Sequence, residues 1–100
     1  MMNNPEYVIE VAVYTVKEEF VSQMPAIRED FRKALNDFAG FLSLDSMSPM
    51  DENRTFADIA KWDTMESAQA VAKAFESGDE RFLPLMETVE DMKFMGNFQP

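Results

Sequence analysis

The sequence predicts an α+β fold of the ferredoxin-like, split βαβ type, with a four-stranded antiparallel sheet and its helices on one face. Segments rich in β-branched and aromatic residues alternate with segments of helical periodicity, in the order strand, helix, strand, strand, helix, short helix, strand. Right-handed crossovers leave few other arrangements of this order. A length of 100 residues with 46% hydrophobic residues suits one domain, residues 1–100, with a single core.

The first predicted strand, residues 7–16, is largely apolar on both faces. Ile9 and Val13 lie on one face, and the other face includes Glu10 and Tyr14. Such a pattern is typical of a strand that is covered on both sides. A second covering layer is therefore needed in so short a chain.

The first predicted helix has an apolar stripe at steps of three and four residues. Its members are Phe20, Met24, Ile27, Phe31, Leu35 and Phe38. Pro25 is tolerated only in a first turn, so Ser22 is a candidate N-cap, unless the helix begins earlier and kinks at Pro25. Gly40 is expected to provide the left-handed residue that ends the segment.

Residues 41–47 and 54–62 are predicted to form a hairpin across the turn residues 48–53. The spacing of Asp63 and Glu66 then predicts the capping box of a second helix. On the second strand, we expect Leu42 and Leu44 on one face and Ser43 and Asp45 on the other. On the third strand, one face is expected to carry Arg54, Phe56, Asp58, Ala60 and Trp62.

The second helix has apolar residues at helical spacing, namely Ala68, Val71, Ala72 and Phe75. It is expected to stop near Gly78. Residues 81–89 are predicted to form one or two helical turns with Pro84 near their beginning. The last strand is predicted at residues 92–98, where Gly96 indicates a bulge or a close approach.

The sheet has more apolar surface than two helices can cover. We expect the helices to lie over the face of Ile9, Val11 and Val13. The opposite face, with Val8, Tyr14, Phe56 and Trp62, would then be open to water in a monomer. A large exposed apolar face usually marks an interface, so we expect a homodimer.

The composition limits the classes of partner. A formal charge of −10 repels phosphate backbones and anionic membrane surfaces, so we expect neither nucleic acid nor membrane binding. The chain contains no cysteine and no histidine, which removes the thiol nucleophile and the commonest general base and metal ligand. We therefore expect no metal and no other cofactor. The first residues lack a basic region followed by an apolar run, and no segment approaches membrane-spanning length, so we expect a cytoplasmic protein.

The strand around residues 8–16, the segment Phe38-Ala-Gly-Phe-Leu-Ser43 and the segment Trp62-Asp-Thr-Met-Glu-Ser-Ala68 resemble the antibiotic biosynthesis monooxygenase-like family of the dimeric α/β-barrel superfamily. The resemblance spans almost the whole chain. It implies a ferredoxin-like protomer, a barrel formed by two sheets, and a pocket between sheet and helices or within the barrel. Some members of the family oxidise polycyclic aromatic compounds with oxygen and neither metal nor flavin, and others degrade haem.

The resemblance also points to particular residues. In the oxygenases an amide side chain four residues before the strand tryptophan takes part in the site, and Asp58 stands at that position relative to Trp62. An ionised aspartate cannot donate the hydrogen bond of an amide. The haem degraders bind iron through a histidine on the following helix, and this chain has no histidine.

The candidate catalytic residues are Tyr14, Asp58 and Trp62. Trp62 is a ligand-stacking residue or a packing residue at the strand end. Tyr14 is a hydrogen-bond partner for a ligand or a core residue. Asp58, Glu10 and Asp45 either converge as a desolvated base or stay hydrated, or they pair with Arg54 or Lys93. The candidate substrate-binding residues are Phe56, Glu10, Asp45, Phe82 and Met86, and Phe82, Leu85 and Met86 are either a pocket lid or core.

Two functions agree with these residues. The first is a cofactor-independent oxygenase that acts on a small aromatic or quinone-like molecule. The second is a non-catalytic dimeric module that binds a small apolar ligand or supports assembly. A pocket that reaches Tyr14 and Asp58 would favour the first, and an interior filled by Phe56, Trp62 and methionine side chains would favour the second.

Overall fold

The computed structural model describes residues 7–100, and the expectation that concerned the first residues lies outside them. The chain forms a four-stranded antiparallel sheet in the order β2-β3-β1-β4. The strands are β1 (Val8–Val16), β2 (Phe41–Met47), β3 (Thr55–Trp62) and β4 (Val89–Phe98). The helices are α1 (Met24–Leu35), α2 (Met65–Glu76) and α3 (Leu83–Thr88), and a 3₁₀ helix, Glu18–Gln23, precedes α1. The predicted ferredoxin-like α+β fold is confirmed.

The prediction of which face of the sheet the helices cover was wrong. The helices cover the face of Tyr14, Phe56 and Trp62, whose side chains are 2%, 4% and 0% exposed. Ile9 and Val13 lie on the opposite face and are half-buried. The more polar face of β1 is the core face because its polar groups find partners inside the protein, which removes most of the penalty of burying them.

The outer face of the sheet is apolar and open to solvent in the single chain. The pairing of β1 with β3 and β4 places Val11 opposite Ile59, and Val13 opposite Phe94. Phe94 and Phe98 are about half exposed and stack at 6.0 Å across Gly96. A Cβ atom on Gly96 would lie 2.9 Å from the Phe94 ring, so the predicted close approach at Gly96 is confirmed.

The beginning of α1 differs from the prediction. Pro25 lies in the first turn of α1, as expected, but Gln23 is the N-cap residue and makes no side-chain capping bond. Ser22 belongs to the preceding 3₁₀ helix, so its prediction as N-cap was wrong. The 3₁₀ helix carries Phe20 to the core before α1 begins, and Phe20 packs against the buried cluster.

The capping box predicted for α2, formed by Asp63 and Glu66, was also wrong. Thr64 is the N-cap, and its hydroxyl accepts a hydrogen bond from the backbone N–H of Ser67 at 3.1 Å. Asp63 instead accepts from the Ser67 hydroxyl at 2.7 Å and donates its backbone N–H to the Gly40 carbonyl at 2.8 Å. Gly40 has φ +83°, as predicted for a left-handed residue, and a Cβ there would overlap the Asp63 carboxylate.

A β-bulge near the start of β2 overturns one face assignment. The register of β2 against β3 shifts between Phe41 and Ser43. Leu44 is buried on the helix side at 3% exposure, whereas Leu42 is 54% exposed. The two leucines therefore do not share an environment, because the extra residue in the bulge disrupts the regular alternation of β2.

Candidate functional site

A buried polar network lies at the centre of the helix-covered face of the sheet. Tyr14 on β1 and Asp58 on β3 are 2% and 5% exposed, and the Tyr14 hydroxyl donates to Asp58 Oδ2 at 2.6 Å. Arg28 of α1 is 7% exposed, and its Nη2 donates to Asp58 Oδ1 at 2.6 Å. Both oxygens of the carboxylate thus have a short hydrogen bond. Asp58 is held as part of a charge-paired triad.

Arg28 also connects α1 to the second and third strands. Its guanidinium donates to the carbonyls of Met47 and Ala57, both at 3.0 Å, and to the Ser48 hydroxyl at 3.2 Å. It lies 4.9 Å from the centre of the Phe56 ring, within the range of a cation–π contact. A buried charge with this many partners fixes the position of α1 relative to the strands.

Sequence reasoning missed Arg28, although the sequence contained a signal for it. The position lies four residues after Met24 and three residues before Phe31, and both of these residues face the core. A charged residue on that stripe requires a buried partner of opposite charge. The expected cationic partners of Asp58, Arg54 and Lys93, were wrong, because Arg54 pairs with Glu90 and Lys93 with Asp91.

The buried network makes the Tyr14 hydroxyl a weaker acid than an ordinary tyrosine. Burial raises the pKa of the Tyr14 hydroxyl above its usual range, and the nearby charge of Asp58 raises it further. The hydroxyl therefore stays protonated and continues to donate to Asp58. Each oxygen of Asp58 thus already accepts one short buried hydrogen bond, from Tyr14 or from Arg28.

A second carboxylate on this face has a different environment. Glu10 Oε1 accepts a hydrogen bond from the indole Nε1 of Trp62 at 3.2 Å. Trp62 is fully buried and packs edge-on against Phe41, with ring centres 5.4 Å apart. Burial raises the pKa of the Glu10 carboxyl, and the bond from Trp62 opposes the shift only in part. Residues 7–100 provide no cationic partner for Glu10.

Both carboxylates border a cavity of about 480 Å³ between the sheet and the helices. Its wall is mostly apolar and comes from all four strands and all three α-helices. The lining residues are Glu10, Ala12, Tyr14, Phe31, Leu44, Asp58, Ala60, Ala72, Phe75, Glu76, Leu85, Met86, Val89, Met92 and Met95. The volume is in the range of small-molecule sites.

The structure brings some of the predicted site residues together and separates others. Glu10, Tyr14, Asp58 and Met86 line the cavity. Trp62 is not in the wall but contacts it through Glu10.

Three of the predicted residues lie away from the cavity. Asp45 pairs with Ile59 and is exposed on the outer face, so it does not converge with Glu10 and Asp58. The ring of Phe56 packs against the guanidinium group of Arg28. Phe82 is fully buried and stacks on Phe75 at 4.2 Å, so it is core.

The described residues contain no group of three or more histidine, cysteine, aspartate or glutamate side chains arranged to hold a metal ion. Within residues 7–100, no helix has the length and apolar character needed to cross a bilayer.

The fold and the cavity define a ferredoxin-like α+β protein with an apolar chamber between its sheet and its helices. No protein-family model matches the sequence, and no curated protein matches it significantly. Solved structures do match. A candidate antibiotic biosynthesis monooxygenase from Bordetella bronchiseptica superposes with a TM-score of 0.80 at 12% identity, over 95% of this chain and 97% of that one.

Two further structures agree with this match. A variant of SnoaB, a cofactor-independent oxygenase from Streptomyces nogalater, superposes with a TM-score of 0.75 at 16% identity, over 95% of this chain and 93% of that one. A conserved protein from Methanosarcina mazei superposes with a TM-score of 0.73 at 14% identity, over 92% and 90%. The chain has the fold of the antibiotic biosynthesis monooxygenase-like proteins, and the predicted resemblance is confirmed at the level of the fold.

Proposed function

We propose that this protein binds a small aromatic or quinone-like molecule in the cavity and oxidises it with molecular oxygen, without a metal or flavin. The observation that supports this proposal is the cavity itself, which is apolar, about 480 Å³ in volume, and bordered by Tyr14 and Asp58. A side-chain-filled interior would have favoured the non-catalytic module. The likeness to SnoaB, named as a cofactor-independent oxygenase, supports the same choice.

The proposed reaction converts a ring methylene group into a carbonyl group. One atom of O₂ enters the product, and the other leaves as water with the two hydrogens of the methylene group. The substrate itself supplies the electrons that reduce oxygen, so no external reductant is required. The protein would bind the ring in an apolar, water-excluding site and orient it toward the oxygen.

In this proposal Tyr14 and Asp58 form a rigid polar wall, and Trp62 acts through Glu10. Because Arg28 and Tyr14 occupy both oxygens of Asp58, this carboxylate is a poor candidate for a free base. The substitution Asp58→Asn tests its role once turnover is found. Loss of turnover in a folded variant would assign a base or charge role to Asp58, and retained turnover would agree with a wall role.

The test begins with a thermal-shift screen of aromatic compounds, followed by oxygen-electrode measurements on those that stabilise the protein. Ala72 of α2 lines the cavity, so Ala72→Phe should fill it and abolish binding and oxygen uptake. The matched control is Ala70→Phe, because Ala70 is an exposed residue of the same helix outside the cavity wall. Turnover should survive a chelator and dialysis. Oxygen uptake that persists in Ala72→Phe would place the reaction elsewhere.

The non-catalytic module is the second candidate. The buried pairing of Asp58 with Arg28 and Tyr14 favours it, because a carboxylate held in a salt bridge is more typical of structure than of proton transfer. Ligand binding in the cavity without any oxygen uptake or product would support this alternative.

We also propose that the protein is a homodimer that pairs the outer faces of its two sheets. Support comes from the apolar side chains of Val11, Ile59, Phe94 and Phe98 on that face. The interface is thus proposed for the face opposite to the one first expected. Placing the dimer there leaves the cavity on the helix side of each protomer.

A further inference from the structure

We propose that Glu10 is the hydrogen-bond acceptor of the cavity, held by the Trp62 indole, and that it selects neutral aromatic ligands with an O–H or N–H donor over anionic ones. This inference rests on the proposed ligand-binding function of the cavity and adds the class of ligand. It also assigns a specificity role to a residue outside the buried triad of Tyr14, Asp58 and Arg28.

The hydrogen-bond acceptors of the cavity wall differ in the partners that they already have. Of the other polar groups in the wall, Tyr14 and Asp58 are engaged with each other, Asp58 is also engaged with Arg28, and Glu76 is exposed to solvent. Glu10 receives one hydrogen bond from the described residues, from Trp62 to its Oε1. A carboxylate has room for several hydrogen bonds, so the second oxygen of Glu10 retains the capacity to accept one from a ligand.

Trp62 orients the Glu10 carboxylate. The indole that donates to Glu10 is fully buried and held edge-on by Phe41. A donor fixed in this way restricts the Glu10 carboxylate to one position at the cavity wall. Trp62 is thus a positioning residue for Glu10, and a ligand donor that meets Glu10 is directed into an otherwise apolar space.

The charge of the cavity wall is negative. The wall contains three carboxylates, Glu10, Asp58 and Glu76, and no lysine or arginine. Arg28 compensates Asp58, but among the described residues no cation pairs with Glu10. An anionic ligand would add a like charge in a desolvated site, which is unfavourable. A neutral phenol or amide N–H would instead gain a charge-assisted hydrogen bond.

The raised pKa of Glu10 agrees with this role, since desolvation makes the carboxylate a stronger acceptor. The ionisable groups that border the same space are Tyr14 on β1, Asp58 on β3 and Glu76 on α2, while α3 and β4 add only apolar residues. Arg28 reaches the space only through Asp58. Binding of a neutral donor should therefore strengthen as pH rises through the Glu10 titration.

The experiment compares three probes by isothermal titration calorimetry: 2-naphthol, 2-methoxynaphthalene and 2-naphthoate. The protein should bind 2-naphthol roughly tenfold more tightly than the methyl ether, because a hydrogen bond to a charged group is lost in the ether. 2-Naphthoate should bind more weakly than either. The variant Glu10→Gln should lose this preference for the naphthol, and Glu76→Gln, the matched control, should retain it.

The outcomes separate this inference from the proposed function. Equal binding of naphthol and ether to the unmodified protein, or a preference that survives in Glu10→Gln, would overturn the role of Glu10 while leaving ligand binding intact. Failure of all three probes to bind would overturn both. Because the probe comparison uses the unmodified protein, it remains decisive even if Glu10→Gln does not fold.

An independent readout comes from Trp62, the only tryptophan of the chain. Its emission should change with pH as the carboxylate beside its indole N–H ionises, and the change should be absent in Glu10→Gln but present in Glu76→Gln. A purely structural glutamate with no contact to the indole would give no such signal. Emission that is flat with pH in the unmodified protein would contradict the proposed positioning of Glu10.

Discussion

Arg28 and Asp58 form a salt bridge of 2.6 Å in the protein interior, between α1 and the middle of β3. Their side chains are only 8% and 7% exposed, so neither charge is solvated by bulk water. Such a pair contributes less to net stability than its short distance suggests, because both ions lose their hydration. Removing either partner is nevertheless costly, because the other ion is then left buried and unpaired.

This relationship predicts an asymmetric result from a double-mutant cycle. Arg28→Met should lower the free energy of unfolding by about 3–5 kcal/mol, because Asp58 is left as a buried unpaired charge. The double variant Arg28→Met with Asp58→Leu should recover much of that loss. Urea denaturation followed by circular dichroism measures both. A double variant as unstable as the sum of its single variants would contradict the pairing.

Tyr14→Phe should lower the free energy of unfolding by about 1–3 kcal/mol, because Asp58 Oδ2 loses its donor while remaining buried. The ring packing is preserved, so the loss reports the hydrogen bond. Tyr7→Phe is the matched control, because Tyr7 is only partly buried and outside this network. Equal effects from the two substitutions, measured by urea denaturation, would argue against a specific role for the Tyr14 hydroxyl.

Thr64→Ala should cost about 1 kcal/mol of stability, since the first turn of α2 loses its side-chain cap. Glu66→Ala should cost less, because Glu66 makes no capping bond within residues 7–100. Thermal unfolding monitored by circular dichroism compares the two. A larger loss in Glu66→Ala than in Thr64→Ala would contradict the assignment of Thr64 as the N-cap.

The alternation of β3 was predictable from the sequence because side chains on a strand alternate strictly between faces. Phe56, Asp58, Ala60 and Trp62 are all buried on one face, as expected. The choice of which face the helices cover was not predictable from apolarity alone. It depends on Arg28, a partner 30 residues away from Asp58 in sequence, whose pairing makes the burial of Asp58 tolerable.

The alternation of side chains along the strands also predicted part of the candidate site. Tyr14 and Asp58 were correctly placed on a common face, but their hydrogen bond to each other and the bond from Arg28 to Asp58 appear only in three dimensions. Glu10 was grouped with Asp45 because both are acids on strands. The register of β2 places Asp45 on the outer face instead, opposite Ile59. Single-chain periodicity cannot fix such a register when a bulge intervenes.

The stability of the protein should depend on the ionisation of Glu10. Because its folded pKa is raised, the folded state binds more protons than the unfolded state between the unfolded and folded pKa values of this group. The contribution of Glu10 to the free energy of unfolding should therefore fall as pH rises through that window. Glu10→Gln should remove this decline, which denaturation at a series of pH values measures. Parallel pH profiles for the variant and the unmodified protein would contradict the shift.

The outer face of the sheet is the proposed dimer interface. Val11 lies near the middle of that face, opposite Ile59 on β3 and Gly96 on β4. Val11→Lys would place a charge in the proposed interface, where desolvating it without a partner is costly, so we expect dissociation into monomers. Gln69→Lys adds the same charge on the exposed surface of α2 and should leave the dimer unchanged. Ala12→Lys, on the cavity side of β1, should instead disturb the protomer. Sedimentation equilibrium at micromolar concentration measures the oligomeric state, and a stable monomer of the unmodified protein would refute the proposed interface.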